Sequence, residues 1–316
     1  MEQILTARDD LVPIDRPVVL ALGAFDGIHI GHQAVIISAK NEAKRLNAAA
    51  VVYSFWPHPS VILNRPKKLI LTREQKINRL TIMSVDYFVE QCFTEMFSEI
   101  RAKSFIGVLQ KKFSQLVGVC VGENFKFGQG CEGDPWMLKE ESRFFDVKIQ
   151  SSISFENQRV SSSNIRKCLT DGYIDRVNRM LGYPYSISGI TRKGRGIAQK
   201  LGYPTLNVYF TNDLLLKFGV YLVRYRFNDK GEYMWGVANF GIRPTFIEMA
   251  QEVTLEVHSL LPVFFQARDI PIEIQFWSYI REEKRFTSQI LLVEQIRHDI
   301  KIAKNRISRF FIGNDN

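Results

Sequence analysis

The sequence predicts a Rossmann-like α/β domain over residues 1–182, followed over 183–316 by a small antiparallel β-barrel that ends in a helix. Three observations predict it. An apolar run, a glycine-hinged loop, a helical repeat and a second apolar run follow one another from Val18 to Phe55. Short alternating runs take over beyond Gly182, and one long amphipathic stripe closes the chain.

Val18 to Leu22 is apolar throughout, and Val35, Ala39, Ala43 and Leu46 then line one helix face before the apolar run Ala49 to Phe55. Strand, loop, helix, strand is a βαβ unit, and ligands of open α/β sheets bind at the carboxyl ends of such strands. Phe55-Trp56-Pro57-His58-Pro59 ends the second strand, because two prolines do not fit a central parallel strand. Thr72 reads as a helix N-cap with Gln75 as its capping-box partner. Val85 to Val89 reads as a strand, Met96 to Phe113 as helical, and Leu116 to Val121 as a strand buried on both faces. Gly182 suits the left-handed end of a helix over Tyr173 to Leu181.

In the second part, Tyr221, Val223, Tyr225 and Phe227 share one strand face, with Arg224 and Arg226 on the other. Asn228-Asp229-Lys230-Gly231 turns the chain back toward Tyr233 to Phe240, a hairpin. Val253–Leu260 and Pro271–Trp277 add strands to a small barrel. Ile290, Val293, Ile296, Ile300, Ala303, Ile307 and Phe310 step by threes and fours, a stripe that would pack on that barrel.

The loop Gly23-Ala24-Phe25-Asp26-Gly27-Ile28-His29-Ile30-Gly31-His32 has the chemistry of a phosphate site. Glycines let backbone approach a ligand, and the helix that follows offers unpaired N–H groups and a positive dipole end. His29 and His32 add two imidazoles able to donate to phosphate oxygens. A second glycine-rich loop, Gly122-Glu123-Asn124-Phe125-Lys126-Phe127-Gly128, leaves the Leu116–Val121 strand. In Arg159-Val160-Ser161-Ser162-Ser163-Asn164-Ile165-Arg166, serines cap a helix, and Arg166 on its first turn offers a charge-assisted fork to a triphosphate.

Composition narrows the function classes. Hydrophobic residues make up 46% and charged residues 24%, as in ordinary globular proteins, and no stretch reaches the roughly 20 apolar residues of a membrane span. The net charge of +9 divides into +4 before Gly182 (24 basic, 20 acidic) and +5 after it (18 basic, 13 acidic), so no basic arm points to nucleic acid. Cys92, Cys120, Cys131 and Cys168 have no zinc-type spacing, which predicts buried or inert thiols without a metal cluster in a reducing cytoplasm. Met1 to Pro17 has no apolar core of a signal peptide.

Gly23-x-Phe25-Asp26-Gly27-x-His29-x-Gly31-His32 resembles the signature of the HxGH nucleotidyltransferases, and more narrowly the amino-terminal half of the bacterial bifunctional riboflavin kinase/FMN adenylyltransferase (FAD synthetase) family. Class I aminoacyl-tRNA synthetases share the literal His-Ile-Gly-His, but nothing here resembles their Lys-Met-Ser-Lys-Ser loop. Ser161 to Arg166 is similar to the Ser-Ser-Thr-x-x-Arg partner motif, with Ser163 in place of Thr. The resemblance implies catalytic roles for His29 and His32. It implies nucleotide contacts from Gly23, Phe25, Asp26, Gly31, Asn124, Ser162, Ser163 and Arg166, and flavin contacts from His58 and Phe125. In-line transfer needs positioning and charge stabilisation and no nucleophilic side chain.

Gly194-x-Gly196, Leu201 to Asn207, Gly236 to Thr245, Leu255-Glu256-Val257-His258 and Ile280 to Phe286 look, in order and spacing, like riboflavin kinase. On that resemblance Thr205 and Asn207 hold Mg²⁺, Gly194 and Gly196 contact nucleotide, and Arg281 contacts flavin. Glu256 accepts the proton of the riboflavin 5′-hydroxyl. The sequence departs from the family pattern at Leu206 for Ala, Ala198-Gln199 for Gly-Arg, Leu260-Leu261 for Leu-Asp, Phe265-Gln266 for Tyr-Gly, and Pro184 for Arg. Leu206 would add bulk between the two metal-site residues.

The implied function is phosphorylation of riboflavin to FMN and adenylylation of FMN to FAD with release of pyrophosphate, each with MgATP and small-molecule partners only. The alternatives are an adenylyltransferase with a weakened or lost kinase, and a flavin- or nucleotide-binding regulator on the same fold. The sequence leaves open whether the protein is a homo-oligomer.

Overall fold

A computed structural model describes residues 3–7, 12–192, 201–210, 214–228, 231–244, 251–261 and 269–312. Gly194, Gly196, Ala198, Gln199, Thr245, Phe265 and Gln266 lie outside the described residues. The chain divides into two compact units, Met1–Ile165 and Arg166–Asn316.

The first unit is built on six parallel strands: β1 (Gln3–Ala7), β2 (Val18–Leu22), β3 (Ala49–Trp56), β4 (Tyr87–Cys92), β5 (Leu116–Gly122) and β6 (Asp146–Gln150). Their order is β1-β4-β3-β2-β5-β6. β2 is buried at every position and β3 at every position but its last, so apolar side chains are needed on both faces and the strands read as continuous runs. α1 (Ile30–Arg45) joins them and buries Val35, Ile36, Ala39 and Ala43, the face its periodicity marks. From β2 the chain winds through β3 to β4, then returns to β5 on the other side of β2. The switch in winding direction opens a crevice at the carboxyl ends of β2 and β5.

β1, parallel to β4, is a strand to which no sequence pattern is assigned. One expectation shifts. After α2 (Pro59–Ile62) and α3 (Arg73–Ile82), the stretch expected to be helical from Met96 to Phe113 is broken into α4 (Glu95–Ser98) and α5 (Ala102–Lys112). Backbone competition explains the break: the Gln129 N–H donates to the Ile100 carbonyl at 2.8 Å, and the Glu132 carboxylate accepts from the Ala102 N–H at 2.8 Å. The Thr72–Gln75 capping box is present. Also present are α6 (Pro135–Glu141) and a small hairpin of β7 (Ser154–Phe155) and β8 (Gln158–Arg159).

α7 (Ser162–Asp171) leads to α8 (Ile174–Leu181), which ends at Gly182 with φ of 75°, the left-handed cap that its glycine signals. The second unit is a closed barrel of β9 (Tyr185–Arg192), β10 (Thr205–Tyr209), β11 (Gly219–Phe227), β12 (Met234–Pro244), β13 (Gln251–Ser259) and β14 (Pro271–Arg281). Tyr221, Val223, Tyr225, Leu206, Val208, Ala238, Phe240, Leu255 and Val257 are buried in it. The last helix, α9 (Gln289–Ile312), buries Ala303 and sets Phe310 against Trp235 and Trp277, while Ile290 at the head of the expected stripe is exposed.

Candidate active sites

The first site lies at the switch point. A cavity of about 470 Å³ is lined by Leu22 and Gly23 from the end of β2, Gly122 to Phe125 from the end of β5, Gln150 to Ile153 beyond β6, and Arg159 to Asn164. His29 and His32 share its wall. Its size is that of a small-molecule site, and its position is the one the sheet topology dictates.

His29 is the N-cap of α1: its Nδ1 accepts the His32 backbone N–H at 3.2 Å. An accepting Nδ1 puts the proton of the neutral ring on Nε2, leaving that nitrogen as a donor. The two imidazoles stack, with centroids 3.6 Å apart and planes 16° apart. Gly31 permits the stack's geometry, since a Cβ there would meet the His29 ring at 3.2 Å. Burial holds His29 down at about 4, against an ordinary 6.5. Burial also pushes His32 well down, helped by the charges of His29 and Lys76. His32 Nδ1 is buried with no hydrogen-bond partner among the described residues. A neutral, stacked pair offers directed N–H dipoles rather than two full charges.

The loop that carries the pair is strained. Gly27 has φ of 86°, and two side-chain-bearing residues, Phe25 at 49° and Ile28 at 33°, are also left-handed. Both are about 1% exposed, so packing holds what backbone preference resists. Hydrogen bonds hold it too. Ile70 donates its N–H to Asp26 Oδ1 at 2.9 Å, and Ser162 Oγ donates to the Asp26 carbonyl at 2.8 Å. The Asp26 carboxylate is therefore turned into the protein and is not among the cavity walls.

Ser161 is the residue that caps α7, its Oγ accepting the Asn164 N–H at 3.3 Å; Ser162 and Ser163 form the first turn and line the cavity. Arg166, expected on that turn, opens the next one and is the first residue of the second unit. Asn124 Nδ2 donates to Ser152 Oγ at 3.1 Å and to the Glu123 carboxylate at 3.3 Å, a polar trio at the cavity mouth. Ser152 lies in no motif and Glu123 has no role assigned in its loop; the meeting of the β5 and β6 ends brings the two together.

Beside this polar cavity is an aromatic cleft of about 330 Å³, with Phe55, Phe93, Phe97, Phe105, Phe125 and Phe127 among its walls. Phe125 lines both spaces and stacks on Phe127 at 5.8 Å. His58 caps α2, accepting the Ser60 N–H at 3.2 Å, and it is the next residue, Pro59, that lines the cleft. Cys131, expected to be buried or inert, is exposed at the cleft edge.

The second site is built by strand register. On β10, Leu206 and Val208 are buried while Thr205 and Asn207 stand on the open face. Asn207 is paired with Glu256 of β13, Glu256 with Asn239 of β12, and Thr205 with His258. Arg192 of β9 stands opposite Asn207 from the other side. Register partners share a face, so Arg192, Asn207, Glu256 and Asn239 form one polar row across four strands. The expectation that Leu206 adds bulk between Thr205 and Asn207 is corrected here: the period of two sends it into the core, where it is 4% exposed. His258 Nδ1–H donates to the Pro204 carbonyl at 2.9 Å and pins the chain just before Thr205.

A hydroxyl and an amide carbonyl on one open strand face, beside a carboxylate, are the oxygen donors a Mg²⁺ ion takes together with phosphates. Arg281 has a structural post. It grips Asp299 of α9 through Nε at 2.9 Å and Nη2 at 2.8 Å, and donates through Nη1 to the Glu282 carbonyl at 2.8 Å.

Residues 12–164 match the family described as FAD synthetase, and residues 181–307 the family described as riboflavin kinase. The chain is 34% identical to a bifunctional riboflavin kinase/FMN adenylyltransferase of Buchnera aphidicola subsp. Schizaphis graminum, over 96% of this chain and 98% of that protein. Proteins of the same description from Bacillus subtilis (32%, over 93% and 92%) and Escherichia coli (33%, over 90% and 91%) are also similar. A solved structure described as a macrolide-efflux protein from Streptococcus pneumoniae has the same fold, with a TM-score of 0.85 and 23% identity over 95% of this chain and 99% of that one. The chain belongs to the bifunctional riboflavin kinase/FMN adenylyltransferase family.

Proposed function

We propose that this chain makes FAD from riboflavin in two MgATP-dependent steps at two sites. Residues 183–316 phosphorylate riboflavin to FMN, and residues 1–182 adenylylate FMN. One observation carries the reading. The chain holds both a stacked, neutral imidazole pair at the head of a polar cavity and a separate Asn207–Glu256 row on a barrel face.

In the kinase step, Glu256 takes the proton of the riboflavin 5′-hydroxyl as its oxygen attacks the γ-phosphorus of ATP, giving FMN and ADP. General-base assistance of this kind contributes roughly 10²–10⁴-fold. Thr205 and Asn207 would hold Mg²⁺, which would offset phosphate charge. In the adenylyl step, an FMN phosphate oxygen attacks the α-phosphorus and pyrophosphate leaves. His29 and His32, with Ser163, the Ser162 backbone N–H and the N-terminus of α1, donate to the oxygens on which charge builds. Gly23, Phe25, Gly31 and Asn124 wall the nucleotide, and Arg166 adds a charged fork beyond the cap.

The aromatic cleft suits the flat flavin ring, with Phe125 between flavin and nucleotide and His58 next in the chain to Pro59 of its wall. None of the described helices is long and apolar enough to cross a membrane. The four cysteines are unpaired, which supports a cytoplasmic enzyme. Chromatographic separation of riboflavin, FMN and FAD after incubation with MgATP tests the whole reading. Both products are expected. FAD from supplied FMN alone means a lapsed kinase, and binding without turnover means a regulator.

A further inference from the structure

A buried ion cluster lies behind the strained loop and belongs to no motif. Lys76 on α3 is 8% exposed; its Nζ donates to the Ala24 carbonyl at 3.0 Å and to Ser54 Oγ at 3.4 Å. Ser54 on β3, fully buried, donates its own Oγ–H to the same carbonyl at 3.1 Å. Two buried carboxylates, Asp26 and Glu90, attract the ammonium, and Arg73 pairs with Glu90 at 2.6 Å. Burial nonetheless draws the Lys76 pKa downward.

Taking an ammonium out of water costs several kcal/mol unless partners offset it, so a buried lysine needs a reason beyond packing. The planar peptide supplies one. In a trans peptide the carbonyl and the next N–H point in opposite directions, and the Ala24–Phe25 bond is trans. With the Ala24 carbonyl gripped by Lys76 and Ser54, the Phe25 N–H is directed away from them, and Gly23, Ala24 and Phe25 are among the residues that line the cavity. That N–H has no hydrogen bond among the described residues. Phe25 itself is held in the left-handed region, a conformation that reverts unless it is over-determined.

We propose that Lys76 is a positioning residue for adenylyl transfer: it locks the Ala24–Phe25 peptide so that the Phe25 N–H faces the reacting phosphates beside His29 and His32. The side chain never touches substrate; it acts through the peptide it holds. The inference rests on the adenylyltransferase reading.

The test is Lys76→Met in the full chain, with FMN-to-FAD and riboflavin-to-FMN rates measured separately. An unaligned transition-state donor costs about 100-fold, and that loss is expected in kcat for FAD formation at saturating MgATP, with FMN formation unchanged. In ¹⁵N-labelled protein, the Phe25 amide resonance is expected to move when a non-hydrolysable ATP analogue binds the parent, and to stay put in Lys76→Met. Should Lys76→Met fail to fold, Lys76→Gln keeps a donor without the charge and is expected to lower the same kcat while FMN formation is unchanged. A folded variant with parental kcat, or one that merely melts earlier while the Phe25 amide still responds, overturns the proposal. A parent chain that makes no FAD overturns the underlying reading instead, so the two failures are distinct.

Discussion

The two sites are assembled by opposite means. The α/β site is a loop site: it hangs on the ends of parallel strands, contains two left-handed residues with side chains, and is held from behind by buried ionic and hydrogen-bonded anchors. The barrel site is a register site, whose polar row Arg192–Asn207–Glu256–Asn239 follows from strand pairing alone. A loop site depends on residues remote in sequence, such as Lys76 and Ser162, whereas a register site depends on the pairing and on what fills the face beneath. Damage should spread differently through each.

The largest effects come from the reacting groups and test whether the sites are separate. His29→Ala with His32→Ala is expected to lower FMN-to-FAD conversion by at least about 10³-fold, since each aligned donor contributes about 10²–10³-fold. FMN formation should persist. Glu256→Gln is expected to reverse the pattern, reducing riboflavin phosphorylation by about 10²–10⁴-fold while supplied FMN is still adenylylated. Equal loss of both products in either variant would mean the two regions do not work as independent sites.

The next effect separates face from core on β10. Leu206→Ala removes buried volume and should cost the barrel about 2–5 kcal/mol, read as a lower unfolding midpoint. The Mg²⁺ dependence of FMN formation should be unchanged in the folded fraction, because Thr205 and Asn207 lie on the other face. A shifted Mg²⁺ requirement with unaltered stability would show that Leu206 intrudes on the metal side after all.

The same contrast decides what the sequence could disclose. β2, α1 and β3 were legible because burial on both faces and a one-sided helix leave unmistakable patterns. Alternation puts Tyr221, Val223, Tyr225 and Phe227 on one strand face, of which the first three are buried and Phe227 is half-buried; the same period of two turns Leu206 inward. The break between α4 and α5 was hidden because its cause is a loop some thirty residues on, Gln129 and Glu132 competing for the backbone at Ile100 and Ala102. The motifs single out His29, His32, Ser162 and Ser163, and all four line one cavity. Motifs could not mark Lys76, Ser54 or Ser152, which enter only through tertiary contact. Nor could they show that Asp26 faces inward or that Arg281 anchors α9, since a motif carries residue type and not direction.

The smallest effect is a pH dependence carried by the α/β site. His29 titrates near 4 when folded and near 6.5 when unfolded, so between those values the unfolded chain binds the extra proton. Stability from this group is therefore complete above pH 6.5 and is lost as pH falls toward 4; by pH 5 the loss is about 2 kcal/mol. Hydrogen exchange of the β2 amides at pH 8 and pH 5 should record it. His29→Asn keeps an oxygen acceptor at the N-cap and removes the titration, so its β2 amides should respond less to acid than the parent's. In the parent, kcat/KM for FAD formation, which reports groups of the free enzyme, should show no break near 6.5 from His29. A break there, with kcat/KM rising toward acid, would mean that the imidazole pair works in its charged form rather than by aligned dipoles.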